Sequence, residues 1–271
     1  MSKLAAIVLA GGKSSRMGRD KAFINYHGKS QVDYLKEVLE ASGIEEVYFS
    51  VNESQSRLDV LLDKKLLIDR EALGPAQAIK DVQRKLPSHD LLVVACDLPL
   101  IDKAAISDIL GKYTLSKGEP AIFYDSSEGL PEPMFAIYRA GFFALAEKAG
   151  LADRRCPRKI LIELNLKGAK LPNESWLINV NSEADMSELW GGMVRLRYFA
   201  QLAEQRALEQ EETFFLNGET VGAFYERLQS QHNFTIAANN IGYAINDRYV
   251  KSDYLLRAGD KVVFIPPVNG G

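Results

Sequence analysis

The sequence predicts an α/β chain in two parts: a doubly wound domain with a mostly parallel sheet, followed by a small α+β domain. Three observations carry this expectation. Short continuous apolar runs alternate with runs of helical period through the first two thirds of the chain. A glycine-rich turn, Gly11-Gly12, sits directly behind the first apolar run. After Gly191-Gly192 the pattern changes to short strands arranged about a helix.

In order, Ala6–Leu9, Val47–Val51, Leu66–Ile68 and Leu91–Ala95 are continuous apolar runs bounded by turn residues, as expected of strands buried on both faces of a parallel sheet. Between them, Val32–Ala41 and Ala76–Leu86 place apolar residues at helical spacing. Ala121–Tyr124 and Met134–Tyr138 are read as later strands. Ser182–Trp190 is read as a closing helix with Ser182 at its N-cap. The second part reads as strand (Val194–Phe199), short helix, strand (Thr213–Leu216), helix (Val221–Gln231), then strands near Tyr243–Asn246 and at Lys261–Ile265. The boundary is therefore expected between residues 1–191 and 192–271, with only a glycine pair as the connection.

Composition narrows the class. Hydrophobic residues make up 46% and charged residues 25% of the chain, enough for a sizeable core. A net charge of −3 argues against a chain devoted to nucleic acid, which needs a basic surplus. The run Leu4–Ala10 reaches only the shortest secretory core and lacks a following cleavage site, so a buried first strand explains it better. No run approaches the ~20 apolar residues that span a membrane. Cys96 and Cys156 form no metal-ligand spacing, which is consistent with reduced thiols in a cytoplasmic protein, one of them packed at a strand end. His27, His89 and His232 show no ligand or triad spacing and are expected as solvated surface residues.

The strongest local signal is Leu9-Ala10-Gly11-Gly12-Lys13-Ser14-Ser15-Arg16-Met17-Gly18-Arg19-Asp20-Lys21. It follows the first strand and so lies at the carboxyl edge of the sheet, where open α/β sheets bind ligands. Adjacent glycines let the backbone N–H groups approach a base or phosphate, and Arg16 and Lys21 supply positive charge for a triphosphate. The spacing is neither that of a P-loop nor that of a dinucleotide fingerprint.

This segment resembles the signature L-A-G-G-x-S-x-R-M-G-x-D-K of molybdenum cofactor guanylyltransferases, a family of Rossmann-like nucleotidyltransferases. Three further segments agree: Asp69 ahead of Gly74-Pro75-Ala76-Gln77-Ala78, Cys96-Asp97-Leu98-Pro99, and Asn179-Val180-Asn181-Ser182. The resemblance covers roughly residues 4–190. It implies GTP and molybdopterin as substrates, with Gly11-Gly12 favouring GTP over CTP, and Mg²⁺ as cofactor, held by Asp97. It places Leu9, Ala10, Gly11, Gly12, Lys21, Asn52, Asp69, Gly74 and Asp97 against the nucleotide, Arg16 and Lys21 on its phosphates, and Asn179 and Asn181 on the pterin side. Asn52 and Asp69 taken alone read as turn residues. Ala78 stands where the family has its last glycine, which predicts a methyl group crowding the nucleotide. The alternatives are a nucleotidyltransferase for CTP or a sugar phosphate, or an inactive docking scaffold.

In the last segment, Gly259-Asp260 signals a turn before Lys261–Ile265, and Pro266-Pro267 stops that strand, leaving Val268-Asn269-Gly270-Gly271. A random Gly-Gly ending has a probability of roughly half a percent at average glycine usage. A tip without side chains can thread a narrow channel and present its carboxylate. Together with R-Y-F-A near residue 197 and G-D-K-V-V-F-I-P-P-V-N-G-G at the end, this resembles the small subunit of molybdopterin synthase, a ubiquitin-like (β-grasp) sulfur carrier. The resemblance implies that Gly271 is adenylylated and converted to a thiocarboxylate. The implied partners are the synthase large subunit and a carrier-activating adenylyltransferase, with a molybdenum-insertion protein as a further candidate; neither nucleic acid nor a membrane is implied. Placing the carrier last keeps Gly271 unencumbered.

Overall fold

A computed structural model of the chain describes residues 3–11, 20–27, 29–58, 61, 63–69 and 73–267. The chain forms two compact units, Met1–Phe23 with Gln31–Asn179, and Ile24–Ser30 with Val180–Gly271.

In the first unit, β1 (Lys3–Leu9), β2 (Val47–Asn52), β3 (Lys65–Asp69), β4 (His89–Ala95), β5 (Ala121–Asp125), β6 (Pro131–Tyr138) and β7 (Ala169–Lys170) form a sheet in the order β3-β2-β1-β4-β6-β5-β7. Strands β3, β2, β1 and β4 run parallel, and β6 is antiparallel to both neighbours. Period-two alternation in β1 explains the layering. Ala6, Val8 and Ala10 join the core beneath α1 (Gln31–Ala41) and α3 (Lys103–Leu115), while Ala5, Ile7 and Leu9 join the core beneath α2 (Pro75–Lys85), α4 (Phe142–Lys148) and α5 (Pro157–Glu163). Both faces are covered by helices, which is why these strands read as unbroken apolar runs rather than alternating ones. Each fully buried Leu, Val or Phe contributes roughly 1.5–3 kcal/mol.

The chain leaves β1 towards β2 on one side and reaches β4 on the other. The switch point therefore falls between β1 and β4, and their carboxyl ends are where open α/β sheets bind ligands. Cys96 is buried immediately after β4, as expected for a thiol packed at a strand end, and Cys156 is exposed.

The second unit holds α6 (Glu183–Leu189), β8 (Trp190–Arg197), α7 (Gln201–Arg206), β9 (Gln210–Leu216), α8 (Val221–His232), β10 (Gly242–Ile245), β11 (Arg248–Val250) and β12 (Lys261–Ile265). Its sheet order is β11-β10-β12-β8-β9, with β8 and β12 parallel at the centre and antiparallel neighbours outside them. Helix α8 lies on one face: Val221, Phe224, Tyr225 and Leu228 pack with Val194, Leu196, Val262 and Phe264. Arg195 and Arg197 alternate outward. The Asn246-Asp247 turn joins β10 to β11 with both residues at positive φ, 50° and 67°, which matches the right-handed twist of the hairpin.

Two expectations change. Ser182 is the N-cap, in a capping box with Asp185, but the helix ends at Leu189 and Trp190 already belongs to β8. The pair Gly191-Gly192 is therefore part of a strand, at a bulge between Trp190 and Gly192, and not a linker. Close packing demands glycine there: a Cβ on Gly191 would lie 2.3 Å from the Phe215 ring, and one on Gly192 2.6 Å from Ala258 Cβ.

The histidines are not solvated. His27 is 5% exposed, with Nδ1 2.7 Å from Gln231 Nε2, because Ile24–Ser30 folds into the second unit, where Tyr26 stacks on Trp190. His89 Nε2 lies 3.6 Å from Glu46 Oε2, with both ring nitrogens shielded from solvent. Burial holds the His232 pKa down to about 3, and Arg206, Lys29 and Arg227 push the same way.

Candidate nucleotide-transfer site

The carboxyl edge of the first sheet is built by strand register. Leu9 pairs with Ser50 of β2 and with Ala95 of β4, and Asn52 at the end of β2 pairs with Asp69 at the end of β3. The residues singled out on β1, β2, β3 and after β4 thus share one rim.

At this rim the main chain beyond β1 is fixed from below. The N–H groups of Ala10 and Gly11 both donate to Ser50 O, at 2.9 and 2.8 Å. A Cβ on Gly11 would lie 3.4 Å from the Asn52 nitrogen, an ordinary contact distance, so the two strand ends pack closely here. The Asn52 side chain is a turn device as well as a candidate ligand. Its Oδ1 accepts from Ser54 Oγ (2.6 Å) and Gln55 N (3.0 Å), capping the 3₁₀ turn Gln55–Arg57.

Gln55, which the sequence did not single out, connects these parts. It is 3% exposed. Its Nε2 donates to Ala10 O at 3.0 Å and to Asp20 Oδ2, while its Oε1 accepts from Asn52 N at 2.9 Å. One buried amide therefore ties both ends of the glycine loop to β2. No sequence pattern marks it, because glutamine at a strand end is ordinary.

Lys21 opens the 3₁₀ turn Lys21–Phe23 beyond that loop, with its side chain outside the described residues. Gly12 and Arg16 also lie outside the described residues, as does Gly271. Gly74 adopts φ +103° at the N-cap of α2, a conformation that favours glycine. The neighbouring Ala76 N–H donates to Arg155 O at 3.3 Å. Ala78 is 8% exposed and joins the core cluster of Leu9, Ala76 and Ile79, so its methyl group is part of the packing under α2.

Asp97 is half-buried in the turn after β4, and the Cys96 N–H beside it donates to Leu9 O at 3.2 Å. Glu132 on β6 also went unread in the sequence. Its side chain is 8% exposed, Oε1 accepts from Met134 N at 2.8 Å, and Oε2 lies 3.3 Å from Arg158 Nη2. Burial raises the Glu132 carboxyl pKa; the Met134 N–H and Arg158 oppose the rise, and the charge of Asp97 adds to it.

Asn179 and Asn181 fall in different units. Asn179 is exposed, with Nδ2 donating to its own segment at Leu177 O (3.3 Å), while the Asn181 N–H donates to Asp185 Oδ2 (2.8 Å) in the capping structure of α6. Among the described residues no group of three or more His, Cys, Asp or Glu side chains could hold a metal ion. No helix there is long and apolar enough to cross a membrane.

A mostly parallel sheet with Gly11 after its first strand and Asp97 after its fourth, at the switch point, has the architecture of a nucleotide-binding α/β domain. The chain belongs to the family described as MobA-like NTP transferase domain, which it matches over residues 6–167, and residues 196–271 match the ThiS family. It is 32% identical over 188 residues to a protein of Synechocystis sp. named molybdenum cofactor biosynthesis bifunctional protein. That alignment covers 69% of this chain and 53% of the other, so the chain spans about half the length of that relative. It is 24% identical to a probable molybdenum cofactor guanylyltransferase of Methanocaldococcus jannaschii, over 68% of this chain and 97% of that one. The fold of molybdopterin-guanine dinucleotide biosynthesis protein A from Archaeoglobus fulgidus superposes with a TM-score of 0.52 at 21% identity, covering 68% of this chain and 95% of that chain. The second sheet, with parallel central strands and a helix across one face, is the ubiquitin-like half.

Proposed function

We propose that the chain acts twice in molybdenum cofactor biosynthesis. Residues 1–191 transfer GMP from GTP to molybdopterin, and residues 192–271 carry sulfur as a thiocarboxylate on Gly271. The observation that carries the first half is the shared rim. Ala10 and Gly11, Asn52, Asp69 and Asp97 stand at adjacent strand ends around the β1–β4 switch point.

The chemistry joins two anions. A phosphate oxygen of molybdopterin attacks the α-phosphorus of GTP, the new P–O bond forms, and pyrophosphate leaves with the electrons of the broken bond. The protein's part is to position the groups and balance their charge. The glycine loop and Asn52 receive the nucleotide. Arg16 and Lys21 meet the phosphates, and Asn179 serves the pterin side. Mg²⁺ would be held by Asp97 and would neutralise charge on the phosphates. The donor fits this cation: Asp97 is a half-buried carboxylate in the turn after β4, and Mg²⁺ typically takes one or two carboxylates plus phosphate oxygens and water. For the carrier, the partners are the large subunit of molybdopterin synthase and an activating adenylyltransferase. Ala78 packs in the core cluster with Leu9, Ala76 and Ile79, which supports the active reading over an inactive scaffold.

Incubation with molybdopterin, Mg²⁺ and each of GTP, CTP and UTP tests the transfer. GTP should be consumed preferentially, and Asp97→Ala should slow turnover by about 100-fold or more. Preference for CTP, or full activity of Asp97→Ala, would overturn the assignment.

A further inference from the structure

Strand β6 continues past the carboxyl end of its neighbour β4. The antiparallel register runs from Leu91↔Tyr138 to Val94↔Phe135, so Asp97, in the turn after β4, and Glu132, near the start of β6, both lie past its last pair at the same end of the two strands. Burial raises the pKa of the Glu132 carboxyl, and the charge of Asp97 acts on it to raise it further. Across the sheet the order is β3, β2, β1, β4, β6. The nucleotide side of the rim therefore occupies the first three strands, and Asp97 marks the centre. Glu132 lies beyond it, on the side left for the second substrate.

Glu132 does not stand alone there. Arg158, in the first turn of α5, donates from Nε to Pro131 O at 2.8 Å and approaches Glu132 Oε2 through Nη2 at 3.3 Å. Two contacts fix the guanidinium plane, yet 42% of the side chain remains exposed. A guanidinium held along one edge offers its remaining N–H groups as a fork, the geometry that binds phosphate in two-point fashion.

We propose that Glu132 is a positioning residue that holds Arg158 to receive the phosphate of the acceptor substrate, on the far side of Asp97 from the nucleotide. This rests on the transfer reading above. Glu132 acts through Arg158; it neither touches the reacting atoms nor moves a proton in the reaction.

The test separates the two substrates. Binding of molybdopterin alone and of GTP with Mg²⁺ is measured by anaerobic calorimetry for the whole chain and for Glu132→Gln, Arg158→Ala, Arg158→Lys and the double variant Glu132→Gln/Arg158→Ala. Glu132→Gln keeps an oxygen for the Met134 N–H while removing the charge. Loss of a charge-assisted contact should weaken molybdopterin about 10- to 100-fold in Glu132→Gln and Arg158→Ala, with a much smaller effect on GTP. Arg158→Lys should regain part of the loss, and the double variant should be no worse than Arg158→Ala. If Glu132→Gln unfolds, the two Arg158 variants carry the comparison. Equal weakening of both substrates, or molybdopterin binding unchanged in Arg158→Ala, overturns the proposal. A wild-type chain that binds molybdopterin with this dependence yet forms no dinucleotide overturns the transfer reading and leaves the pair standing.

Discussion

Gln55 shows what a single buried amide does for the glycine loop. Its three hydrogen bonds use one donor group twice and its acceptor once, all within the core of the rim. Gln55→Ala leaves the Ala10 carbonyl and the Asn52 N–H unpaired, which should cost about 1–3 kcal/mol in denaturant unfolding. Gln55→Glu should be worse, because the new carboxylate can no longer donate to Ala10 O and faces Asp20. In calorimetry both variants should bind GTP more weakly, the glutamate variant most. Unchanged GTP affinity in both would mean that the loop holds its place without this amide. Little of this residue was legible in advance. Its importance comes from partners at positions 10, 20 and 52, and only folding brings them together. Asp97, by contrast, was legible because the position after a buried strand already fixes it to the carboxyl edge.

At the scale of elements, the apolar runs located several strands well. Lys261–Ile265 is found at its expected limits, and Val47–Val51 gains a single residue. Helix α3 went unread, having no strong amphipathic stripe: Ala105, Ile106 and Ile109 are buried, but Leu115 at its end is exposed. The glycine pair was misleading for a different reason. In sequence it signals a break, whereas in the sheet it is the only residue type that leaves room for Phe215 and Ala258. Gly192 has φ +132° as well. Gly192→Ala should therefore destabilise the second unit by roughly 1–3 kcal/mol, through overpacking and backbone strain together. A lowered urea midpoint for the ubiquitin-like half would show this. A midpoint equal to wild type would mean that β8 relaxes around the methyl group.

At the scale of the whole molecule, one chain joins a transferase fold to a carrier fold, and their chemistries make different demands. Transfer needs a preorganised rim; carriage needs an accessible carboxylate. Incubating the full chain with an activating enzyme, ATP and a sulfur donor should give the intact-mass change of one oxygen-for-sulfur exchange at Gly271. Adding one residue after Gly271 should abolish that change while leaving GTP consumption with molybdopterin intact. Sulfur transfer that survives the extension would exclude Gly271 as the carrier atom's site. The division is not a simple cut in the sequence. Residues 24–30 follow the glycine loop closely, yet pack with Trp190 and Gln231 in the second unit. They carry no periodic signal that would assign them to either half.

The sequence by itself determined the class of both folds and the place of Gly11 and of Asp97 at strand ends on the carboxyl edge of the first sheet. Those features rest on local pattern: runs of period two or 3.6, turn chemistry, and motif spacing within one strand and its loop. Tertiary structure alone decided that Gly191-Gly192 lies within a strand, that the histidines are withdrawn from solvent, and that Gln55 and the Glu132–Arg158 pair stand at the rim. Each of these depends on partners distant in sequence. Burial and hydrogen bonding there follow from which strands become neighbours, and no single segment encodes that.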